Sequence, residues 1–295
     1  MLFEGFEVRD LDTPRGSVRA RVGGSGPPLL LLHGYPQTHL MWHAVAPSLA
    51  ERFTVVAADL PGYGDSFRPP VSDDHAAHGK RALARDLIAA MGALGHDAFA
   101  VAGHDRGGRV AYRMALDRPE VVSALAVLDI VPTGEVWAHA DHRFALGYWH
   151  WPFLAQPAPV PERLILGDRD AFWTAVERLG LEAGERFPAE TLATYRAQLA
   201  DPAFVTAVCE DYRAGATVDR AHDEADRGTR VIACRFRALW GAEGSLPRFY
   251  DDPLDLWRTY APDATGRAVE RAGHFLAEDA PGDVAADLSA FFARP

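Results

Sequence analysis

Cysteine is scarce: Cys209 and Cys234 are the only two in 295 residues, and neither stands in a C-x-x-C or other metal-ligand spacing. That argues against a disulfide framework and against a metal site, and it favours a reduced, cytoplasmic setting. Missing too is any uninterrupted apolar run near the ~20 residues that a membrane helix needs. The N-terminus MLFEGFEVRD has no basic segment followed by an apolar stretch, so it does not read as a secretion signal. Blocks of Lys and Arg are absent and the formal net charge is -11, which excludes nucleic acid as an expected partner. Neither repeats nor low-complexity tracts appear. The charge has a second consequence. Its overall field repels small anions, so an anionic substrate has to be captured by cations inside a site.

What is present alternates as a doubly wound sheet requires. FEGFEV and GSVRARV read as early strands, and PPLLLLHG as a buried strand ending in a glycine turn. HAVAPSLAER reads as a helix, and RFTVVAADLPGYG as a strand followed by a Gly/Pro loop. KRALARDLIAAMGALG has helical apolar spacing and a stop at Gly95. FAVAGH is the next strand, Arg106 to Leu116 the next helix and VVSALAVLDI the strand after it. Beyond Pro132 the pattern changes to Trp- and His-dense, helical sequence, and strand-like sequence returns only at VIACRFRALWG. Residues 1–130 and 236–295 are therefore expected to form an α/β core of mostly parallel, eight-stranded type. Residues 131–235 are expected to form a helical cap inserted after the sixth strand.

The stretch GHDRGGR, residues 103–109, sits between a strand and a helix. It resembles the nucleophile turn G-x-S-x-G of the α/β-hydrolases, with Asp105 where the serine is expected. That family's chain order of nucleophile, acid and histidine implies His274, in AGHFLAED, as the base. Asp129, closing LAVLDI, and Glu243, after RALWGAEG, are both candidates for the acid, with Asp129 the expected one because it ends a strand. In the turn HGYP, residues 33–36, a backbone N–H at Tyr35 is expected to form an oxyanion hole with the N–H of Arg106.

An aspartate in that place changes the chemistry. A carboxylate needs no base in order to attack, but it is a weak nucleophile toward carbonyls. It suits displacement at saturated carbon, as in alkyl halides or epoxides. The resulting aspartyl ester is then cleaved by water that His274 activates and Asp129 orients. Arg106 and Arg109, three apart on the first helical turn, lie on one side where guanidinium groups suit a substrate carboxylate.

Together these stretches, with YWHWPFLAQPAP and CEDYRAG, resemble the fluoroacetate dehalogenases over nearly the whole chain. The DRxxR arrangement and the cap's HW are the specific marks. That resemblance implies Asp105 as nucleophile, His274 as base, Asp129 as its acid, and Arg106 and Arg109 as carboxylate ligands. It implies that His150, Trp151 and Tyr212 hold the departing halide, with no cofactor or metal and with a homodimeric assembly. The expected activity is hydrolytic dehalogenation of a small anionic 2-haloacid such as fluoroacetate, with neither nucleic acid nor membrane as partner. Gly180 falls near the place of a family tryptophan, which implies a larger pocket. Epoxide hydrolysis by the same aspartate is the alternative, though a tryptophan commonly follows the nucleophile there and Arg106 does so here. A non-catalytic carboxylate-binding relative is the second alternative, against which the presence of both Asp129 and His274 speaks.

Overall fold

The computed structural model describes residues 2–181 and 186–293. Eight strands form one sheet: β1 (Glu7–Thr13), β2 (Gly16–Gly23), β3 (Pro28–Leu32), β4 (Thr54–Ala58), β5 (Phe99–His104), β6 (Val122–Leu128), β7 (Arg235–Gly241) and β8 (Thr265–Val269). Their spatial order is β1-β2-β4-β3-β5-β6-β7-β8. β2 pairs antiparallel with β1 and β4, and every pairing from β4 onward is parallel. The first strand starts later than FEGFEV suggests. Residues 2–5 form a turn instead, because the ring of Phe3 is drawn into the core at 3% exposure.

The run PLLLL of β3 shows why the middle strands read as continuously apolar. Leu29 and Leu31 point to one face, where they pack with Trp42, Leu288 and Phe292. Leu30 and Leu32 point to the other, where they join Leu87, Met91 and Val110. Side chains alternate across a strand, so a sheet covered on both faces needs apolar residues at every position. Helix Lys80–Ala93 buries Leu83, Ala84, Leu87, Ala90 and Met91, the stripe expected from a 3.6-residue repeat. Helix Pro281–Phe292 covers the opposite face through Val284, Leu288 and Phe292.

Between β6 and β7 the described residues form helices and no strand, from Thr133–Ala138 to Pro202–Ala216 and Val218–Asp226. Among the described residues no helix is long and apolar enough to cross a membrane. This helical insert is fastened to the core through helix Asp105–Asp117. Arg113, at 2% side-chain exposure, donates from Nη2 to Asp223 Oδ1 at 2.7 Å and from Nη1 to Asp226. Asp223 also accepts from Tyr112 Oη at 2.7 Å and from the Gly134 N–H at 2.9 Å. Burial pushes the Asp223 carboxyl upward against the pull of Arg113, so the pair depends on keeping its geometry. Arg113→Met leaves that buried acid uncompensated. It should destabilise the fold by about 3–5 kcal/mol, measured as a lowered urea midpoint.

Candidate active site

The parallel strands end on one side of the sheet, and the candidate residues gather there, where open α/β sheets place their ligands. β5 stops at His104, and Asp105 takes φ 42, a left-handed conformation unusual for a residue with a side chain. The turn is tight enough to demand glycine beside it. A Cβ on Gly107 would lie 2.3 Å from the carbonyl oxygen of His33, and one on Gly34 would lie 2.5 Å from Asp105 Cβ. The two loops therefore meet backbone to backbone. That approach lets the Tyr35 N–H donate to Asp105 Oδ2 at 3.0 Å. The N–H of Arg106, the other expected donor, does not bond this carboxylate.

Asp105 is 5% exposed. Burial works to raise its pKa, but the charges of His274, Arg106 and Arg109 prevail and hold it at about 2. The group is thus an ionised, poorly hydrated carboxylate at any ordinary pH. Asp129 ends β6 with φ 51. Its Oδ1 accepts the Gly241 N–H at 3.0 Å, and its Oδ2 accepts Nδ1–H of His274 at 2.7 Å. With Nδ1 carrying that proton, Nε2 of His274 is left as the acceptor. The backbone carbonyl of His274 is held in turn by Nε2–H of His104 at 2.8 Å. Glu243, the other candidate acid, is exposed on the rim of the site.

The two arginines flank Trp151, with guanidinium carbons 5.5 Å (Arg106) and 4.6 Å (Arg109) from the centroid of its ring. Their donors are largely occupied. Arg109 Nη1 donates to the Val131 carbonyl at 3.0 Å and to Thr133 Oγ1 at 3.1 Å, while its Nε lies 4.0 Å from Asp105 Oδ1. Arg106 gives its Nε and Nη2 edge to Asp211 of the helical insert, at 2.7 Å and 3.0 Å. Nη1 of Arg106 and Nε of Arg109 are buried without a hydrogen-bond partner. The sequence suggested two free forks for a carboxylate. The structure provides two anchored guanidinium groups with separate vacant N–H groups.

Above Asp105 the insert contributes a cluster of rings. His150 and Trp151 each lie 5.8 Å from Tyr212, and Tyr35 stacks on His150 at 6.1 Å. His150 Nδ1, Tyr212 Oη and Tyr35 Oη are buried with no hydrogen-bond partner. Unpaired buried polar atoms are rare and call for an explanation. Burial keeps His150 neutral, with its pKa lowered to about 3, and keeps Tyr212 protonated, helped by the nearby charge of Asp105. Neutral donors in this position suit a small anion. A space of about 20 Å³, lined by Asp105, Arg109, Tyr148, His150, Trp151 and His274, lies among them. A wider mouth of about 630 Å³ opens outward past Tyr35, Gly180 and Phe275. Among the described residues no group of three His, Cys, Asp or Glu side chains is arranged to hold a metal ion.

A family model described as the alpha/beta hydrolase fold matches residues 27–281. This chain belongs to the α/β-hydrolase family. It is similar to a fluoroacetate dehalogenase from Burkholderia sp, 43% identical over 98% of this chain and 95% of that one. It is also similar to a soluble epoxide hydrolase from Corynebacterium sp. (strain C12), 32% identical over 92% and 91% of the two chains. A solved α/β-hydrolase-fold structure from Nostoc sp PCC 7120 superposes with a TM-score of 0.95 at 44% identity, covering all of both chains.

Two residues of this α/β-hydrolase site were not singled out from sequence. Tyr148 lines both the inner space and the mouth, with its ring 6.4 Å from that of His274. Its signal was the aromatic run YWHW, which gives no sign of which rings turn inward. Asp211 is the other; it stands immediately before Tyr212 in CEDYRAG but reads there as an ordinary helix-surface acid.

Burial acts to lower the pKa of His274, yet the hydrogen bond and charge of Asp129 and the charge of Asp105 leave it above its ordinary value near 6.5. The imidazole is accordingly cationic below that raised value and neutral above it. Removing the charge at position 105 takes away one stabiliser of the cation. In Asp105→Asn the His274 imidazole should titrate at lower pH, followed by NMR of its ring signals. An unchanged titration would show that the two groups are not coupled.

Proposed function

We propose that this hydrolase cleaves the carbon–halogen bond of a small 2-haloacid such as fluoroacetate. The observation that carries the reading is a buried, ionised Asp105 facing both a His–Asp pair and a ring of neutral, unpartnered donors. Likeness to a protein named fluoroacetate dehalogenase supports it.

The steps follow from the geometry. Oδ2 of Asp105 is fixed by the Tyr35 N–H, so Oδ1 is the oxygen free to attack. It forms a bond to the α-carbon as the carbon–halogen electron pair leaves with the halide. Departing fluoride gathers charge on a small, hard atom, and the N–H groups of His150 and Trp151 and the O–H of Tyr212 are suited to receive it. The substrate carboxylate is assigned to Arg109 and Arg106. Asp105 is then a neutral ester whose carbonyl oxygen is Oδ2. Water loses a proton to Nε2 of His274 and attacks that carbonyl, and the oxyanion develops on the atom already held by the Tyr35 N–H. Collapse breaks the bond from the carbonyl carbon to the ester oxygen. His274 gives its proton to the departing alkoxide, which leaves as the hydroxyacid, and the remaining proton on the regenerated Asp105 carboxyl is lost to solvent.

Charge changes favour this order. In the resting site the charge of Asp105 helps raise the pKa of His274. Esterification abolishes that charge, so the imidazole is more readily a free base at the step that requires one. Incubation with fluoroacetate should release fluoride, read with an ion-selective electrode. In Asp105→Asn the rate should fall by about three orders of magnitude or more. Release that persists in the variant would remove Asp105 from the nucleophile's role.

Hydrolysis of an epoxide is the second reading. Tyr148 and Tyr212, both kept protonated by burial and by the charge of Asp105, are suitable proton donors to a ring oxygen. Substrate charge separates the two. Arg109→Ala should cost about 10–100-fold in kcat/KM toward a haloacid, the worth of a charge-assisted hydrogen bond, and little toward a neutral oxirane. Equal losses would favour the epoxide.

A further inference from the structure

Arg106 is held more completely than a carboxylate ligand on a helix needs to be. Its Nε donates to Asp211 Oδ2 at 2.7 Å, and its Nη2 donates both to Asp211 Oδ1 at 3.0 Å and to the Asp211 carbonyl at 2.7 Å. The ring of Tyr212 lies against the guanidinium, 4.2 Å from its carbon. Three bonds along one edge and a ring across the face leave the group no rotation of consequence. Asp211 is itself fixed from two further directions. Tyr63 Oη donates to its Oδ2 at 2.8 Å, and Lys80 Nζ donates to its Oδ1. Lys80 is the chain's single lysine, buried at 2% exposure, and its ammonium also reaches Asp219 Oδ2 at 3.3 Å.

Arg106, Lys80, Asp211 and Asp219 carry two positive and two negative charges that balance. The cluster therefore attracts an anion through a placed donor rather than through a net field. That donor is Nη1 of Arg106, buried and unpartnered. A buried guanidinium N–H without a hydrogen-bond partner costs stability unless something fills it, and this one stands on the residue next to Asp105.

We propose that Asp211 is a positioning residue for anion recognition. Held by Tyr63 and Lys80, it locks Arg106 so that Nη1 alone is offered to the substrate carboxylate. Asp211 belongs to the helical insert, in Pro202–Ala216, whereas Arg106 belongs to the helix that follows the nucleophile. Carboxylate binding is therefore complete only when the insert is seated on the core. The proposal rests on the haloacid reading for its substrate but not for its test.

Acetate, a carboxylate with no leaving group, is the probe, and acetamide is its neutral isostere. Both are titrated calorimetrically into the whole protein and into Asp211→Asn, and KM and kcat are measured with fluoroacetate. The expected result is an acetate affinity about tenfold or more lower in Asp211→Asn, with acetamide unaffected and KM raised more than kcat falls. Should that variant fail to fold, Tyr63→Phe removes one hydrogen bond to Asp211 without touching a charge. It should weaken acetate severalfold. Unchanged acetate affinity in the folded variants, whatever happens to Tm, would overturn the proposal and leave Asp211 a tie between insert and core. Fluoride release by a protein that binds no acetate would overturn it too, while the haloacid reading survives. Acetate binding that depends on Asp211 in a protein that releases no halide would uphold the proposal and remove the haloacid reading instead.

Discussion

A negative charge held out of water is the constraint from which the rest of this site follows. Asp105 is nearly inaccessible, and an ionised carboxylate loses several kcal/mol of solvation on entering such a place. It stays charged because a backbone N–H, two guanidinium groups and an imidazole surround it. Each of these has to be held in turn. His274 is set by Asp129 on one side and by His104 through its own backbone on the other. Arg109 is fastened to the Val131 carbonyl and to Thr133, just past the end of β6. A poorly hydrated carboxylate is a better nucleophile than one in water, so the expense of burial is also the source of reactivity.

The helical insert is part of that arrangement rather than a cover laid over it. Two separate ion networks join it to the helix Asp105–Asp117: Arg113 with Asp223 and Asp226, and Arg106 with Asp211. Both are buried, and neither tolerates loss of one partner. The rings of His150, Trp151 and Tyr212, all from the insert, pack on one another in the same place. In the proposed reaction the core would supply the covalent chemistry and the insert most of the groups that meet a departing anion.

The local conformation of the turn at Asp105 restricts which residues can stand beside it. A left-handed Asp105 points its carboxylate at the Tyr35 N–H only if the HGYP loop comes into van der Waals contact with the start of the helix. Gly34 and Gly107 mark the two surfaces of that contact. Such a constraint is written in the sequence as spacing, which makes G-x-D-x-G between a strand and a helix legible as a tight turn.

Sequence by itself determined the strand–helix alternation, the sheet's buried character, the helical insert after the sixth strand, and the tight G-x-D-x-G turn. These depend on periodicity and on residues a few positions apart, where the chain's own geometry decides. The first strand was displaced because Phe3 found a place in the core that no local pattern announces. Only the tertiary structure decided between Asp129 and Glu243 as partner of His274, because the choice rests on which strand end faces the imidazole across the sheet. It also decided that the outer edge of Arg106 belongs to Asp211, 105 residues away, and that Tyr148 turns inward. Charge pairing between distant residues leaves no periodic trace in a chain, since any acid can meet any base once folding has brought them together.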